Sequence, residues 1–328
     1  MALLEVDGLT RDFRTRAETI RALDEVSFAV GQGQIVGLLG LNGAGKTTTL
    51  KVISTLLLPT SGTVRVDGYD VVGETRAVRQ RVSVVLGGER GFYNRLSGRD
   101  NGRFFGVLSG LHRREAGRLA DEALERVGLA EAAARPVETY SKGMKQRLHL
   151  AVGLLTTPRL LLLDEPTVGL DPIEAQRVRD SIAELRGTGV AIVLTSHYLA
   201  DIERLAQRVV ILQRGRVTHD LPLEQLLARA GSAAEIGLSG LGPAPSVEDV
   251  ERAAERAGIR LLAAQAADGP VAAGAGWTVR FEVKSWTPDS LRALAALWPD
   301  REITEVRVQP ASLEAVFSEL ARAEEGLR

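Results

Sequence analysis

Short apolar runs alternate with amphipathic stretches along residues 1–225, and glycine or aspartate bounds many of the runs. The apolar runs predict buried strands over residues 34–39, 81–86, 160–163, 190–195 and 209–213. The stretches with helical periodicity predict helices over residues 46–57, 113–127, 145–155 and 173–185. Between residues 97 and 155 helices dominate without clear strands. The pattern therefore indicates an α/β domain whose sheet carries an inserted helical subdomain over about residues 97–155.

A different pattern follows residue 225. Residues 239–246 (SGLGPAPS) have the composition of a linker or an irregular loop. Beyond them the sequence predicts a helix over 247–257, strands near 260–264 and over 277–283, a helix over 288–297, a strand over 303–308 and a final helix over 312–323. We therefore expect two domains, an α/β domain over residues 1–225 and a small α+β C-terminal domain over residues 226–328.

Charge and cysteine content exclude several classes of function. The 328 residues carry 41 Lys and Arg against 42 Asp and Glu, a formal net charge of -1. Without a basic excess to neutralise phosphates, we expect no nucleic-acid partner. The absence of cysteine excludes a disulfide framework, a thiol nucleophile and a thiolate zinc site.

Neither an export signal nor a membrane span is predicted. Acidic Glu5 and Asp7 lie where a secretory signal needs its apolar run. Nowhere does the chain contain the roughly 18 consecutive apolar residues that a transmembrane helix requires. We expect a cytoplasmic protein, so that any membrane process it serves needs a membrane subunit encoded separately.

Residues 40–47 (GLNGAGKT) fit the G-x-x-x-x-G-K-[ST] phosphate-binding loop in full, between a predicted strand and a predicted helix. Glycines let the backbone N–H groups curl around phosphates at a helix N-terminus, Lys46 supplies a charge for the β- and γ-phosphates, and Thr47 offers a hydroxyl to Mg²⁺. A Gly-rich turn without a ligand is the structural alternative. The predicted nucleotide-binding residues in this segment are Gly40, Asn42, Gly43, Ala44, Gly45, Lys46, Thr47 and Thr48.

Two acids end the apolar run at residues 160–163, and a histidine follows the run at 190–195. At the carboxyl edge of a parallel sheet these side chains lie beside the phosphate loop. Asp164 is then the expected Mg²⁺ ligand, and Glu165 is the expected general base for the attacking water. His197 is expected to contact the γ-phosphate. The alternatives are an ordinary acidic strand end and a histidine with a purely structural role.

Two further segments, together with the phosphate loop, the two acids and the histidine, form an ordered set of motifs. Residues 138–147 (ETYSKGMKQR) and 165–172 (EPTVGLDP), with the motifs above, resemble an ATP-binding-cassette (ABC) ATPase from about Leu3 to Gln225. The resemblance implies a P-loop NTPase cassette with an inserted helical subdomain. It also implies a dimer of two copies that closes around two ATP, each with Mg²⁺.

The resemblance assigns further residues. Ser141 and Gly143 occupy the family's signature, which in one subunit covers the ATP held by the other. Phe13 falls where the family stacks an aromatic ring on adenine, although a core phenylalanine on an N-terminal strand is the alternative. Residues 169–171 resemble the loop that couples the two sites of the dimer.

Two segments depart from the family pattern, the signature and the end of the strand near Leu86. Lys142 and Met144 replace a glycine and a glutamine of the signature. The glutamine that normally ends the strand near Leu86 is missing, with Gly87 or Gly88 in its place and Glu89 as a possible substitute. Residues 91–101, with Phe92, Tyr93 and Leu96 as candidate contacts, are the expected coupling surface for a membrane partner, and an ordinary loop is the alternative.

Residues 311–317 (ASLEAVF) resemble an element of drug and antibiotic exporters of the daunorubicin-resistance type. An amphipathic helix is the alternative, and the two interpretations are compatible. Together these resemblances imply the ATPase subunit of an exporter that drives a separately encoded permease from the inner face of the cell membrane. The alternatives are a soluble ABC ATPase acting on ribosomes or DNA, an ATP-binding regulator with weak hydrolysis, and an importer ATPase.

Overall fold

The computed structural model describes residues 2–15, 18–86, 91–229, 234–241, 245–256, 261–271, 274–283, 302–310 and 313. The chain divides into two compact units, Met1–Leu223 and Glu224–Arg328. In the described ranges, no helix combines the length and the apolar character that a membrane crossing requires.

The strands of the first unit are β1 (Ala2–Arg14), β2 (Thr19–Gly31), β3 (Ile35–Leu39), β4 (Ser61–Val66), β5 (Tyr69–Asp70), β6 (Val82–Leu86), β7 (Leu160–Asp164), β8 (Ala191–Thr195), β9 (Arg208–Gln213) and β10 (Arg216–Pro222). Its helices are α1 (Lys46–Ile53), α2 (Thr75–Arg79), α3 (Gly98–Leu108), α4 (Arg113–Arg126), α5 (Lys142–Leu154), α6 (Pro172–Ala183) and α7 (Leu199–Leu205). A single 3₁₀ turn covers Val137–Thr139.

A six-stranded sheet in the order β10-β9-β3-β8-β7-β6 forms the centre of the unit. Strands β6, β7, β8, β3 and β9 run parallel, and β10 pairs antiparallel with β9. All five residues of β3 and of β8 are buried, as are the four leucines of β7. Both faces of these strands are covered by other elements, which is why the strands are continuous apolar runs that can be predicted from sequence.

The sequence pattern did not predict a second sheet, in the order β2-β1-β4-β5, whose strands pair antiparallel. Strand β1 alternates buried and exposed positions only over part of its length, and its register with β2 shifts several times. Its buried side chains, such as Leu4 and Leu9, belong to the same hydrophobic core as side chains of the parallel sheet. A strand with one solvated face and bulges lacks the continuous apolar run on which the prediction depended.

Helices α3, α4 and α5 form the helical subdomain. Small residues allow α3 and α4 to approach closely, because a Cβ added at Gly102 would lie 2.9 Å from the Cβ of Ala120. Arg147 of α5 is buried and donates from Nη1 to the carbonyls of Val127 and Gly128, both at 3.1 Å, which joins α5 to the end of α4.

The expected bounds of two helices were wrong. Helix α1 ends at Ile53 and not at residue 57, because Thr55 adopts a left-handed φ of 64° and Leu56 N–H closes the turn onto Lys51 O at 2.9 Å. Helix α5 begins at Lys142 and not at residue 145, because the Ser141 hydroxyl caps it by accepting from Met144 N–H.

The second unit contains α8 (Leu223–Arg229, which begins at the boundary), β11 (Ala234–Leu241), α9 (Val247–Arg256), β12 (Leu261–Val271), β13 (Gly274–Val283) and β14 (Ile303–Pro310). Its sheet is antiparallel in the order β12-β13-β11-β14. The linker expected from residue 239 was partly wrong, since residues 239–241 belong to β11, and β12 is longer than expected. The helices expected over 288–297 and 312–323 lie outside the described residues, apart from the buried Leu313.

Candidate nucleotide site

The carboxyl ends of β3, β8 and β7 meet at one edge of the parallel sheet. Leu38 pairs with Thr195, and Thr195 pairs with Asp164, so the register places the three strand ends level with one another. The chain leaves β3 directly into the phosphate loop and re-enters a helix at Lys46. This edge is where nucleotides bind in open α/β sheets.

The phosphate loop can close only with glycine at two of its positions. At Gly40 (φ 155°) a Cβ would lie 2.3 Å from the carbonyl oxygen of Leu212. At Gly45 (φ 106°), which precedes α1, it would lie 2.5 Å from Leu23 Cδ2. The first turn of α1 has N–H groups with no acceptor inside the helix, so the loop presents donors to an anion.

Lys46 lies at the base of the loop and is 7% exposed. Its ammonium donates to the carbonyls of Gly40 at 2.7 Å and Leu41 at 3.2 Å. An ammonium has three donors, so one N–H remains for a phosphate oxygen. Burial lowers the pKa of Lys46, while the charges of Glu165 and Asp164 act in the opposite direction. The cation is therefore partly desolvated and close to both acids.

Asp164 ends β7 between two hydroxyl groups. Its Oδ1 accepts from Thr195 Oγ1 at 2.6 Å, and its Oδ2 lies 3.4 Å from Thr47 Oγ1. Thr195 thus fixes the carboxylate, and the free edge of Asp164 faces the threonine of the phosphate loop. This contact links the two halves of the site, which lie far apart in sequence.

Glu165 and His197 contact each other directly, with Glu165 Oε1 2.5 Å from His197 Nε2. Glu165 has a left-handed φ of 53°, an uncommon conformation for a residue other than glycine. Its N–H donates to Thr195 O at 3.1 Å and to Thr195 Oγ1 at 3.2 Å. Such strain persists only where surrounding bonds hold it, and it is frequent at catalytic sites.

The signature residues lie at the N-terminus of α5. Ser141 caps the helix, and Gly143 packs against α6, where a Cβ on Gly143 would lie 2.0 Å from Glu174 Oε2 and 2.6 Å from Glu174 Cβ. The Glu174 carboxylate accepts from Arg177 Nη1 at 2.7 Å and lies 3.6 Å from Arg147 Nη2. Helix α6 itself is capped by Asp171, whose Oδ1 accepts from Ile173 N–H and Glu174 N–H. The signature and the segment of residues 169–171 are thus in contact through α6.

Gly143→Ala should destabilise the first unit by about 1–3 kcal/mol, because the methyl group overlaps Glu174 and forces α5 and α6 apart. Urea unfolding measures this loss, and ATP hydrolysis should fall in parallel. The matched control is Gly117→Ala in α4, where nothing lies within 4 Å of an added Cβ. There alanine should be neutral or stabilising, since it is the better helix former. Equal stability of the two variants would contradict the tight contact.

Phe13 lies on β1 and is 36% exposed, so it is not a core residue. The guanidinium of Arg11 lies over its ring, 4.7 Å from the centroid. An exposed ring can offer a stacking surface, and the backbone of Phe13 pairs with Ile20 of β2.

The structure brings together Lys46, Thr47, Asp164, Glu165 and His197, while Ser141 and Gly143 lie on the helical subdomain. Sequence reasoning missed Thr195, which holds both Asp164 and the Glu165 backbone, and the buried Asp201. The hydroxyl pair at residues 195–196, directly before His197, was the available signal for the first. Gly87, Gly88 and Glu89 lie outside the described residues, so the position of the missing glutamine has no structural account.

A complete phosphate loop, an acidic strand end beside it and a parallel sheet with an inserted helical subdomain define a P-loop nucleotide triphosphatase. The sequence profile of the ABC transporter family matches residues 23–168. The chain is 42% identical over 228 residues to the daunorubicin resistance ATP-binding protein DrrA3 of Streptomyces coeruleorubidus, covering 70% of this chain and 71% of that protein.

Two further comparisons lead to the same family. The chain is 35% identical over 224 residues to the ABC transporter ATP-binding protein NatA of Bacillus subtilis, covering 68% of this chain and 91% of that protein. A solved structure of the ATP-binding subunit of an ABC transporter superposes with a TM-score of 0.60 at 31% identity, over 70% of this chain and 93% of that one. The chain belongs to the ABC transporter family of ATP-binding proteins and is an ATPase of that family. The predicted fold class and the resemblance to the drug-resistance type are confirmed.

Proposed function

We propose that this ATPase powers an exporter, with Glu165 and His197 at the reacting end of ATP. The contact of 2.5 Å between Glu165 Oε1 and His197 Nε2, beside the phosphate loop, is the observation that carries the proposal. In the proposed step a water oxygen bonds to the γ-phosphorus as the bond to the β,γ-bridging oxygen breaks. Glu165 accepts the proton of the water, His197 donates to a γ-phosphate oxygen, and the products are ADP and phosphate.

The donor set fits Mg²⁺. Thr47 and Asp164 offer a hydroxyl and a carboxylate that face each other, and among the described residues no group of three or more His, Cys, Asp or Glu could form an all-protein metal site. Mg²⁺ characteristically takes one or two protein oxygens and completes its shell with phosphates and water. When bound, it would neutralise charge on the β- and γ-phosphates, with Thr47 and Asp164 as its protein ligands.

A second copy of the chain is the proposed partner at the nucleotide. Three large side chains in the segments that follow the reacting pair are exposed: Val168 at 44%, Tyr198 at 50% and, in the first turn of α6, Ile173 at 68%. Large exposed apolar side chains in the segments next to a polar site favour a protein interface. In the proposed dimer the α5 N-terminus with Ser141 and Gly143 covers the ATP of the partner, where the positive end of the helix dipole suits a γ-phosphate. We propose Phe13 as the adenine-stacking residue.

The membrane permease is proposed to dock on an apolar patch of the helical subdomain, which we call the α3 patch: Tyr93, Leu96, Phe104, Val107 and Leu108. All five are at least 40% exposed, and the rings of Tyr93 and Phe104 are in edge contact at 4.9 Å. The last three share one face of α3 by their spacing. A groove of about 1010 Å³, lined by Leu108, Phe105 and His149 among others, adjoins the patch.

Asn101 connects Tyr93 and Leu96 of the α3 patch to helix α3. It is fully buried, accepts from Tyr93 N–H at 2.9 Å, and donates to the carbonyls of Tyr93, Leu96 and Ser97. The segment that carries Tyr93 and Leu96 is therefore held rigidly on the helix. Docked there, the chain would lie peripherally on the cytoplasmic face of the membrane. The drug-resistance names of the relatives support an export direction.

Leu108→Asp tests the docking. Leu108 is 71% exposed, so the change should leave folding and basal ATP hydrolysis intact while it places an unpaired carboxylate in an apolar interface. We expect recovery of the co-expressed membrane subunits with the tagged chain to fall about tenfold or more, the effect of losing a central interface residue. Leu56→Asp, at a site 63% exposed outside the patch, is the matched control. Equal recovery with both variants would place the permease elsewhere.

A further inference from the structure

Asp201 is a fully buried carboxylate with no part in the chemistry proposed above. It lies in the first turn of α7 and has an exposed fraction of 0%. Its Oδ2 accepts from Thr167 Oγ1 and, at 2.6 Å, from Ser196 Oγ. Its Oδ1 accepts from Arg179 Nε at 2.6 Å. A buried charge is tolerated when it is paired and fully hydrogen-bonded, as this one is.

The three donors come from three separate segments of the site. Thr167 follows the strained Glu165 by two residues, Ser196 directly precedes His197, and Arg179 belongs to α6, the helix that Asp171 caps. Thr167 and Ser196 are themselves buried, at 1% and 4% exposed, so water does not replace these bonds. Ser196 Oγ also accepts from Tyr198 N–H at 3.0 Å, which fixes the backbone on both sides of His197.

We propose that Asp201 is a positioning residue for the hydrolysis step. Through Thr167 and Ser196 it sets the distance between Glu165 and His197. The inference rests on the proposed function, because it assumes that this pair acts on the γ-phosphate. Asp201 bonds to neither residue of the pair, but it holds the segments that carry both. It also joins those segments to α6, so the geometry of the pair depends on the position of that helix.

The physical reason is the sensitivity of proton transfer to distance. Glu165 has an unfavourable backbone conformation, and its turn stays in place only while its surroundings hold it. The Thr167 bond is a charge-assisted one at the far end of that turn. If it is lost, the turn can relax and the Glu165 carboxylate moves away from the attacking water. A displacement of about 1 Å can cost on the order of 100-fold in rate.

Thr167→Val tests the inference, because valine keeps the shape of threonine and exchanges the hydroxyl for a methyl group that cannot donate to Asp201. We expect kcat for ATP hydrolysis to fall about tenfold or more while KM for ATP stays within about twofold, since the phosphate loop is untouched. Thr167→Ser keeps the hydroxyl and should retain near-normal kcat. Asp201→Asn removes the charge at constant size, and in the double variant with Thr167→Val the two losses should be strongly non-additive.

Three outcomes overturn the inference: normal kcat in Thr167→Val, an equal loss in Thr167→Ser, or a loss of kcat that only tracks the folded fraction measured by thermal unfolding. Glu165→Gln, assayed in parallel, separates this inference from the proposed function. If Glu165→Gln turns over normally, the proposed chemistry fails. If Glu165→Gln is inactive and Thr167→Val is fully active, the chemistry stands and only the role of Asp201 fails.

Discussion

Glu165→Gln is expected to bind ATP with nearly normal affinity and to lose steady-state hydrolysis by about 100-fold or more, the range for removal of a general base. A glutamine amide cannot accept the proton of the attacking water, yet it has the same size and can still bond to His197. Because the phosphate loop and Asp164 are unchanged, ATP should remain bound. The proposed dimer should then persist with uncleaved ATP.

Two measurements check this expectation. Phosphate release gives the turnover, and size-exclusion chromatography with ATP and Mg²⁺ gives the oligomeric state, which should shift towards the dimer in the variant. Glu184→Gln, an exposed position at the end of α6, is the control and should behave as the unmodified chain. Normal phosphate release by Glu165→Gln would show that another group activates the water.

Lys46→Ala should lose ATP affinity by about 10- to 100-fold, because a charge-assisted bond to phosphate contributes about 1.5–3 kcal/mol. The loss has a second source in this chain. The ammonium also donates to the carbonyls of Gly40 and Leu41, so alanine removes two bonds that shape the loop. Lys46→Arg should recover only part of the affinity, since a planar fork fits poorly where a compact ammonium sits among glycines.

Titration with ATP by isothermal calorimetry measures the affinity of each variant. Lys51→Ala is the matched control, because Lys51 lies on the same helix and is exposed. Its affinity for ATP should be unchanged. If Lys46→Ala binds ATP as tightly as the Lys51→Ala control, the assignment of residues 40–47 as the phosphate cradle is wrong.

The parallel sheet could be predicted from sequence because a strand covered on both faces is a continuous apolar run. Strands β3, β6, β7, β8 and β9 all lie within a residue or two of their expected positions. The order of glycines and the lysine at residues 40–46 likewise reflects local backbone geometry, which a motif can encode. Asp164 and Glu165 could be placed at the sheet edge by the same reasoning, since a strand end fixes where its next residues lie.

What could not be predicted depends on one-sided burial, on a local cap and on contacts between distant segments. The sheet that contains β1 and β2 has one solvated face and shifted registers, so no periodicity marks it. The start of α5 depends on a serine cap, which a search for apolar periodicity does not detect. Nothing in the sequence shows that Asp201 accepts from residues 167, 179 and 196, because those partners meet only after β7, β8, α6 and α7 have packed.

The close approach of Gly143 to Glu174 has a consequence for how this protein can vary. A side chain at residue 143 and a long acid at residue 174 cannot occupy the same space, so each position limits what the other accepts. A relative with a larger residue at 143 should carry a shorter one at 174, and would then also lack the acceptor for Arg177. Engineering of the signature in this chain therefore has to change residues 143 of α5 and 174 of α6 together.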